Sequence, residues 1–213
     1  MPSPAIKICG ITTSEALDAA IASRAYYAGF VFYPPSPRHL ALGDAAVLAA
    51  RAEGRITRVG LFVDADDSHI AEAVSAAQLD VLQLHGAETP ERAAQLKARF
   101  GLPVWKALPV AAKADVLRAD AYAGAADLVL FDAKTPKGTL PGGMGLAFDW
   151  ALLAAWKGPS PWGLAGGLNP QNVAEAIRAT SAPLVDTSSG VESAPGVKDV
   201  AKIAAFCRAA RSA

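Results

Sequence analysis

Three features of the 213-residue sequence predict an α/β fold closed into a single (β/α)8 TIM barrel. Short β-branched or aromatic runs alternate with Ala-rich stretches of helical period from one end of the chain to the other, which is the rhythm of repeated βα units. Eight such runs can be counted, and eight units leave about 27 residues each, a compact version of a barrel that typically takes ~250 residues. The Gly-x-Gly-x-x-Gly turn of an open doubly wound sheet is missing, because the first run ends in Lys7-Ile8-Cys9-Gly10-Ile11-Thr12. One domain spanning 1–213 is therefore expected.

The first strand is read from Ala5 to Cys9, followed by a helix announced by Thr12-x-x-Glu15, which has capping-box spacing ahead of Leu17, Ala20 and Ile21. Strands from Tyr27 to Phe32, Arg58 to Val63 and Val81 to His85 come next. Thr89-Pro90 then offers a capping side chain before a proline at the first helical position, where the missing N–H does no harm. Strands from Val104 to Leu108, Leu128 to Asp132 and Trp162 to Ala165 follow. Asn169-Pro170 repeats the helix-start signal, and Val173, Ala176 and Ile177 form one apolar face behind it. After a strand from Leu184 to Thr187, the last helix shows Val200, Ile203, Ala204 and Cys207 at i, i+3, i+4 and i+7, a core stripe that makes Cys207 a core residue.

Twenty basic residues balance twenty acidic ones, and no Lys/Arg cluster stands out. That excludes a broad field built for nucleic acid or an anionic membrane and points to a small molecule whose charge is met locally. Two cysteines, Cys9 and Cys207, are too few for a disulfide framework, so a reducing cytoplasm is the expected compartment. The N-terminal residues lack a basic segment followed by an apolar one, and no stretch reaches ~18 uninterrupted apolar residues. Neither export nor membrane spanning is expected. Either a monomer or a homodimer is compatible with the apolar helix faces.

In a barrel, reactive groups collect where strands end and βα loops begin. Cys9 closes the first strand beside Gly10, where a thiol can act as base or nucleophile or simply pack as a small hydrophobe. Asp132 closes the run Leu128-Val129-Leu130-Phe131, and a partly desolvated carboxyl group there suits general acid catalysis as well as a loop ion pair. Arg38 ends Tyr33-Pro-Pro-Ser-Pro-Arg38, whose prolines stiffen a loop that can present a guanidinium to a carboxylate. Two Gly- and Ser-bearing segments follow the seventh and eighth strands, Ala165-Gly166-Gly167-Leu168-Asn169-Pro170 and Asp186-Thr187-Ser188-Ser189-Gly190-Val191-Glu192. Together they sit where this fold commonly binds phosphate. His39, His69 and His85 are scattered with no metal-ligand spacing, so no metal is expected. His85 either lines the pocket or serves the framework; Lys106 either points inward as a Schiff-base lysine or, preferably, is a barrel-end charge.

Taken together, Lys7 to Thr12, Gly29-Phe-Val-Phe-Tyr-Pro-Pro-Ser-Pro-Arg38, Val81-Leu-Gln-Leu-His-Gly86, Leu164 to Val173 and Val185 to Glu192 resemble the phosphoribosylanthranilate isomerase family of tryptophan biosynthesis, across nearly the whole chain. The resemblance implies an Amadori rearrangement of N-(5-phosphoribosyl)anthranilate without metal or cofactor. By the same resemblance Cys9 matches the general base, Asp132 the general acid and Arg38 the contact to the anthranilate carboxylate. Gly166, Gly167, Ser188, Ser189 and Gly190 match the phosphate loops, and Asp186 belongs to the same motif. Two stretches depart from the family pattern: Pro141 to Trp150, with Met144 where a small hydroxyl residue is usual, and Arg24-Ala-Tyr-Tyr-Ala28, which should not touch the chemistry. A histidine-pathway sugar isomerase would instead carry aspartates where Cys9 and Leu108 end the first and fifth strands. A phosphate-binding sensor is the non-enzymatic alternative, and it leaves Cys9 and Asp132 without a shared purpose.

Overall fold

Eight parallel strands close on themselves in a computed structural model that describes residues 3–134 and 148–213. They are β1 (Ala5–Cys9), β2 (Tyr27–Val31), β3 (Thr57–Phe62), β4 (Val81–Leu84), β5 (Val104–Val110), β6 (Leu128–Ala133), β7 (Trp162–Leu164) and β8 (Leu184–Thr187). Each pairs with its sequence neighbours, and β8 closes the ring on β1, with Lys7 opposite Asp186. The fold is thus the expected (β/α)8 barrel. The strand core of every candidate run is where the sequence puts it; the ends differ by a residue or two, chiefly because β5 continues past Leu108 to Val110.

Between the strands lie α1 (Ser14–Ala22), α2 (Leu42–Ala52), α3 (Asp67–Ala77), α4 (Pro90–Phe100), α5 (Lys113–Leu117), α6 (Val173–Thr180) and α7 (Val200–Arg211). A 3-10 helix, Trp150–Ala155, precedes β7, and a two-stranded hairpin, β9 (Glu192–Ala194) with β10 (Val197–Lys198), follows β8. Among the described residues no helix is long and apolar enough to cross a membrane.

Three helix readings are corrected in detail. The α1 cap is Thr13, whose hydroxyl accepts from the Ala16 N–H, so the expected Thr12 start is one residue early. The Asn169 side chain accepts from the N–H groups of Gln171 and Asn172 and so caps a turn, which delays α6 to Val173. On α7 the buried face is Ile203, Phe206, Cys207 and Ala210, while Val200 is half exposed. The stripe therefore runs one position round from the expected one, because the large Phe206 takes the core position. Thr89 with Pro90 caps α4 as read, and Cys207 is core.

Alternation along the strands divides the barrel into two apolar compartments. Ile6, Ile8, Phe30, Phe62, Val129 and Phe131 face the helices, whereas Val59, Val81, Trp105, Ala107, Leu130 and Leu184 fill the lumen. Tyr27 meets Trp105 edge-on at 4.9 Å in that lumen cluster, so the Arg24 to Ala28 departure serves packing. The lumen is a packed floor, and a third, small cluster of Cys9, Val31 and Leu61 tops it. Lys106 alternates with the lumen residues Trp105 and Ala107 and so turns away from the lumen. Its ammonium is buried against the Glu88 carboxylate at 2.8 Å and the Gly86 carbonyl at 2.7 Å, which rules out an inward Schiff-base lysine and makes it a framework charge.

Candidate active site

The cleft above the Cys9 cluster opens at the C-terminal ends of the strands, the end where this fold carries its chemistry. Cys9, Arg38, His85, Asp132, Gly166, Gly167, Asp186, Ser188 and Ser189 all line it, so residues up to 180 positions apart in sequence share one wall. Gly190 stands behind that lining, where a side chain would collide with the Leu168 carbonyl. Of the Pro141 to Trp150 departure, residues 141–147, Met144 among them, lie outside the described residues.

Cys9 is the last residue of β1 and is held under the cleft by its neighbours. Gly29 on β2 gives the thiol room, since a Cβ there would come within 2.8 Å of Sγ. Two residues back on the same lumen-facing side, the Lys7 ammonium is fully buried and donates to Asp186 Oδ2 at 2.9 Å. Burial raises the Cys9 thiol above its ordinary pKa; Lys7 opposes that rise, Asp186 adds to it and Lys198 again opposes. Burial also raises the Asp186 carboxyl, against the pull of Lys7. Burial would lower the Lys7 ammonium, but Asp186 and Cys9 outweigh it and keep the ammonium raised and charged.

Asp132, near the end of β6, is buried and turned to the cleft. Its Oδ1 accepts from the Ala133 N–H at 2.8 Å, and its Oδ2 lies 3.1 Å from His85 Nε2. Gln83 stands behind His85, with Nε2 and Nδ1 3.3 Å apart, so β4 steadies the carboxyl group through a two-residue chain. Gly166 has φ +83° and lies so close that a Cβ would meet the Ala133 nitrogen at 2.4 Å and Asp132 Oδ1 at 2.9 Å; only glycine fits both the backbone and the approach. The two readings left open for His85 therefore merge, because it lines the cleft while bracing Asp132.

Arg38 is buried at the other side of the cleft, and its Nε and Nη2 each donate to a Glu192 oxygen at 2.8 Å. The proline-rich loop alone does not fix this guanidinium; Glu192 on β9 grips it. The Lys198 ammonium on β10 donates to the same carboxylate at 2.6 Å and to the Ser188 carbonyl at 3.0 Å, while the Ser188 hydroxyl donates to the Cys9 carbonyl at 3.1 Å. The sequence reading gave no role to Lys7, Gln83, Glu192 or Lys198. For Lys7 a signal existed, since alternation from Cys9 sets it on the inward face, where a charge requires a partner. For Lys198 there was none. Among the described residues no three His, Cys, Asp or Glu side chains gather as a metal site.

This arrangement can give a proton from one wall, take one from another, and seat two anionic groups between them. Comparison with known proteins gives the family. Residues 6–209 match the family model described as N-(5'-phosphoribosyl)anthranilate (PRA) isomerase. The chain is 54% identical over 207 residues to the N-(5'-phosphoribosyl)anthranilate isomerase of Paramagnetospirillum magneticum, covering 97% of this chain and 96% of that one. Monomers generated from the dimeric phosphoribosylanthranilate isomerase of Thermotoga maritima superpose with a TM-score of 0.85 at 36% identity, over 99% and 100% of the two chains. A phosphoribosylanthranilate isomerase in complex with reduced 1-(o-carboxyphenylamino)-1-deoxyribulose 5-phosphate superposes with a TM-score of 0.86 at 34% identity, again over 99% and 100%.

Proposed function

Because the chain belongs to the N-(5'-phosphoribosyl)anthranilate isomerase family, we propose that it converts N-(5-phosphoribosyl)anthranilate to 1-(2-carboxyphenylamino)-1-deoxyribulose 5-phosphate by an Amadori rearrangement. The observation that carries this reading is that Cys9 and Asp132, from β1 and β6, open on one cleft between Arg38 and the loops after β7 and β8.

In this reading Asp132 protonates the furanose ring oxygen, the C1'–O4' bond breaks, and the arylamine nitrogen donates its lone pair to form a positively charged Schiff base. That cation acidifies the C2' proton. Cys9 takes the proton as a thiolate, the C2'–H electrons form the C1'=C2' bond, and the nitrogen recovers its lone pair in a neutral enolamine. Loss of the O2' proton and protonation at C1' then give the ketone. Burial disfavours the thiolate, while the Lys7 charge beneath it and the cationic Schiff base above both favour it, so the base is strongest when the intermediate is present.

Arg38 receives the anthranilate carboxylate. Gly166, Gly167, Ser188, Ser189 and Gly190 offer N–H and hydroxyl donors to the 5'-phosphate at the loops where this fold commonly holds one. Asp186 secures Lys7 at the cleft floor. The chain acts as one catalytic domain without a cofactor, and its two free cysteines suit a reducing cytoplasm. The test is the fall of arylamine fluorescence when freshly generated phosphoribosylanthranilate meets the protein. Conversion supports the reading; none, with a folded protein, would turn it toward another phosphosugar.

A further inference from the structure

Glu192 does not reach the reacting carbons in the reading above, yet it is the hub of a buried polar cluster beside the cleft. Its two oxygens receive two bonds from Arg38, the Lys198 ammonium and, at 3.2 Å, the Gly196 N–H. All three charged side chains are nearly inaccessible, at 10%, 4% and 1% for Arg38, Glu192 and Lys198. Arg38 and Lys198 are both cations, so their charges sum with the carboxylate to +1: enough to attract an anion, but compact only while Glu192 separates the two. The hairpin is fitted to the task. At Gly196, with φ +81°, a Cβ would meet the Pro37 carbonyl at 2.4 Å, and at Gly10 a Cβ would meet Arg38 Cδ at 2.7 Å. The β9–β10 turn thus presses on the residue before Arg38, while the arginine stem lies flat over the residue after Cys9.

We propose that Glu192 is a positioning residue for substrate specificity: by clasping Arg38 bidentately and neutralising Lys198, it presets the guanidinium to select a substrate whose arylamine carries a carboxylate. This rests on the reading that Arg38 receives that carboxylate. Glu192 acts on the carboxylate contact through Arg38; whatever reaches Cys9 by way of Lys198 and Ser188 falls on every substrate alike, so a substrate with the carboxylate and one without it separate the two routes.

The test compares phosphoribosylanthranilate with its carboxylate-free counterpart N-(5-phosphoribosyl)aniline, each generated from ribose 5-phosphate and the arylamine, on wild type, Glu192→Gln and Glu192→Asp at matched folded concentration. For Glu192→Gln the expectation is a KM for the anthranilate substrate raised about tenfold or more, kcat within about threefold, and kcat/KM on the aniline substrate within about threefold of wild type. Glu192→Asp keeps the charge on a stem one methylene shorter and gives a smaller rise with the same split, which carries the test if the glutamine variant does not fold. Equal losses on both substrates, or an unchanged KM, would overturn the proposal and leave Glu192 a framework residue. A wild type that does not discriminate between the two substrates would overturn the Arg38 reading itself, and the proposal with it.

Discussion

Arg38 illustrates what one residue's neighbours add to its sequence. The Pro34 to Pro37 run marks a stiff loop, but the guanidinium is oriented by Glu192, 154 positions away, which no local pattern reveals. Removing Arg38 leaves the Glu192 carboxylate paired with Lys198 and the Gly196 N–H but short of two buried hydrogen bonds. Arg38→Ala is therefore expected to raise KM and also to lower stability by about 1–3 kcal/mol, read by urea denaturation beside steady-state kinetics. The same pair predicts a pH dependence. Burial alone would raise the Glu192 carboxyl, but Arg38 and Lys198 outweigh it and hold it down to about 2 from an ordinary 4.5. A folded value below the unfolded one stabilises the fold above pH 4.5, and that contribution, about 3 kcal/mol, is lost as pH falls toward 2. Denaturation midpoints across that window should fall for wild type and run flatter for Glu192→Gln; parallel curves would contradict the assignment. Cys9 and Asp132 were legible because each ends an apolar run at a strand terminus, the one place where a polar group in such a run calls for a function. Lys7 was legible only through Cys9, since alternation along Ala5 to Cys9 sets both on the inward face, while its partner Asp186 lies 179 positions away and no local pattern reveals it.

At the scale of elements, strand cores were easy to read and ends were not. A β-branched run marks where the sheet is buried, while pairing with the neighbour decides how far it extends; β5 continues to Val110 because β6 offers partners through Ala133. Helix starts misled where two capping residues lie close together, as Thr12 and Thr13 do, or where Asn169 spends its oxygen on a turn. The α7 stripe slipped because small alanines leave several faces almost equally apolar, and Phe206 then decides. This correction has a measurable consequence: Phe206→Ala should cost about 3–5 kcal/mol of stability, whereas Val200→Ala should stay within about 0.5 kcal/mol, both by thermal or urea unfolding. Comparable costs would restore the stripe that includes Val200.

For the whole molecule, stabilisation and chemistry occupy opposite ends of one lumen. Tyr27, Trp105 and the aliphatic layers pack the floor, and the polar groups crowd where the strands open. The two cysteines report on this division. Burial pushes the Cys207 thiol up to about 11 in the helical shell, whereas Cys9 lines the cleft. Iodoacetamide is expected to modify Cys9 alone in the native protein, faster as pH rises, and the reduced product analogue should protect it; Cys207 should react only on unfolding. Native labelling of Cys207 would contradict that packing.

The central claim is that a base on β1 and an acid on β6 work as a pair across the cleft. The measurement that tests it most directly is turnover of phosphoribosylanthranilate by Cys9→Ala and Asp132→Asn, set against binding of the reduced product analogue by the same variants. Turnover about 100-fold lower or worse in each variant, with analogue binding and folding retained, is the predicted result. Turnover within a few-fold of wild type in either variant would contradict the pairing.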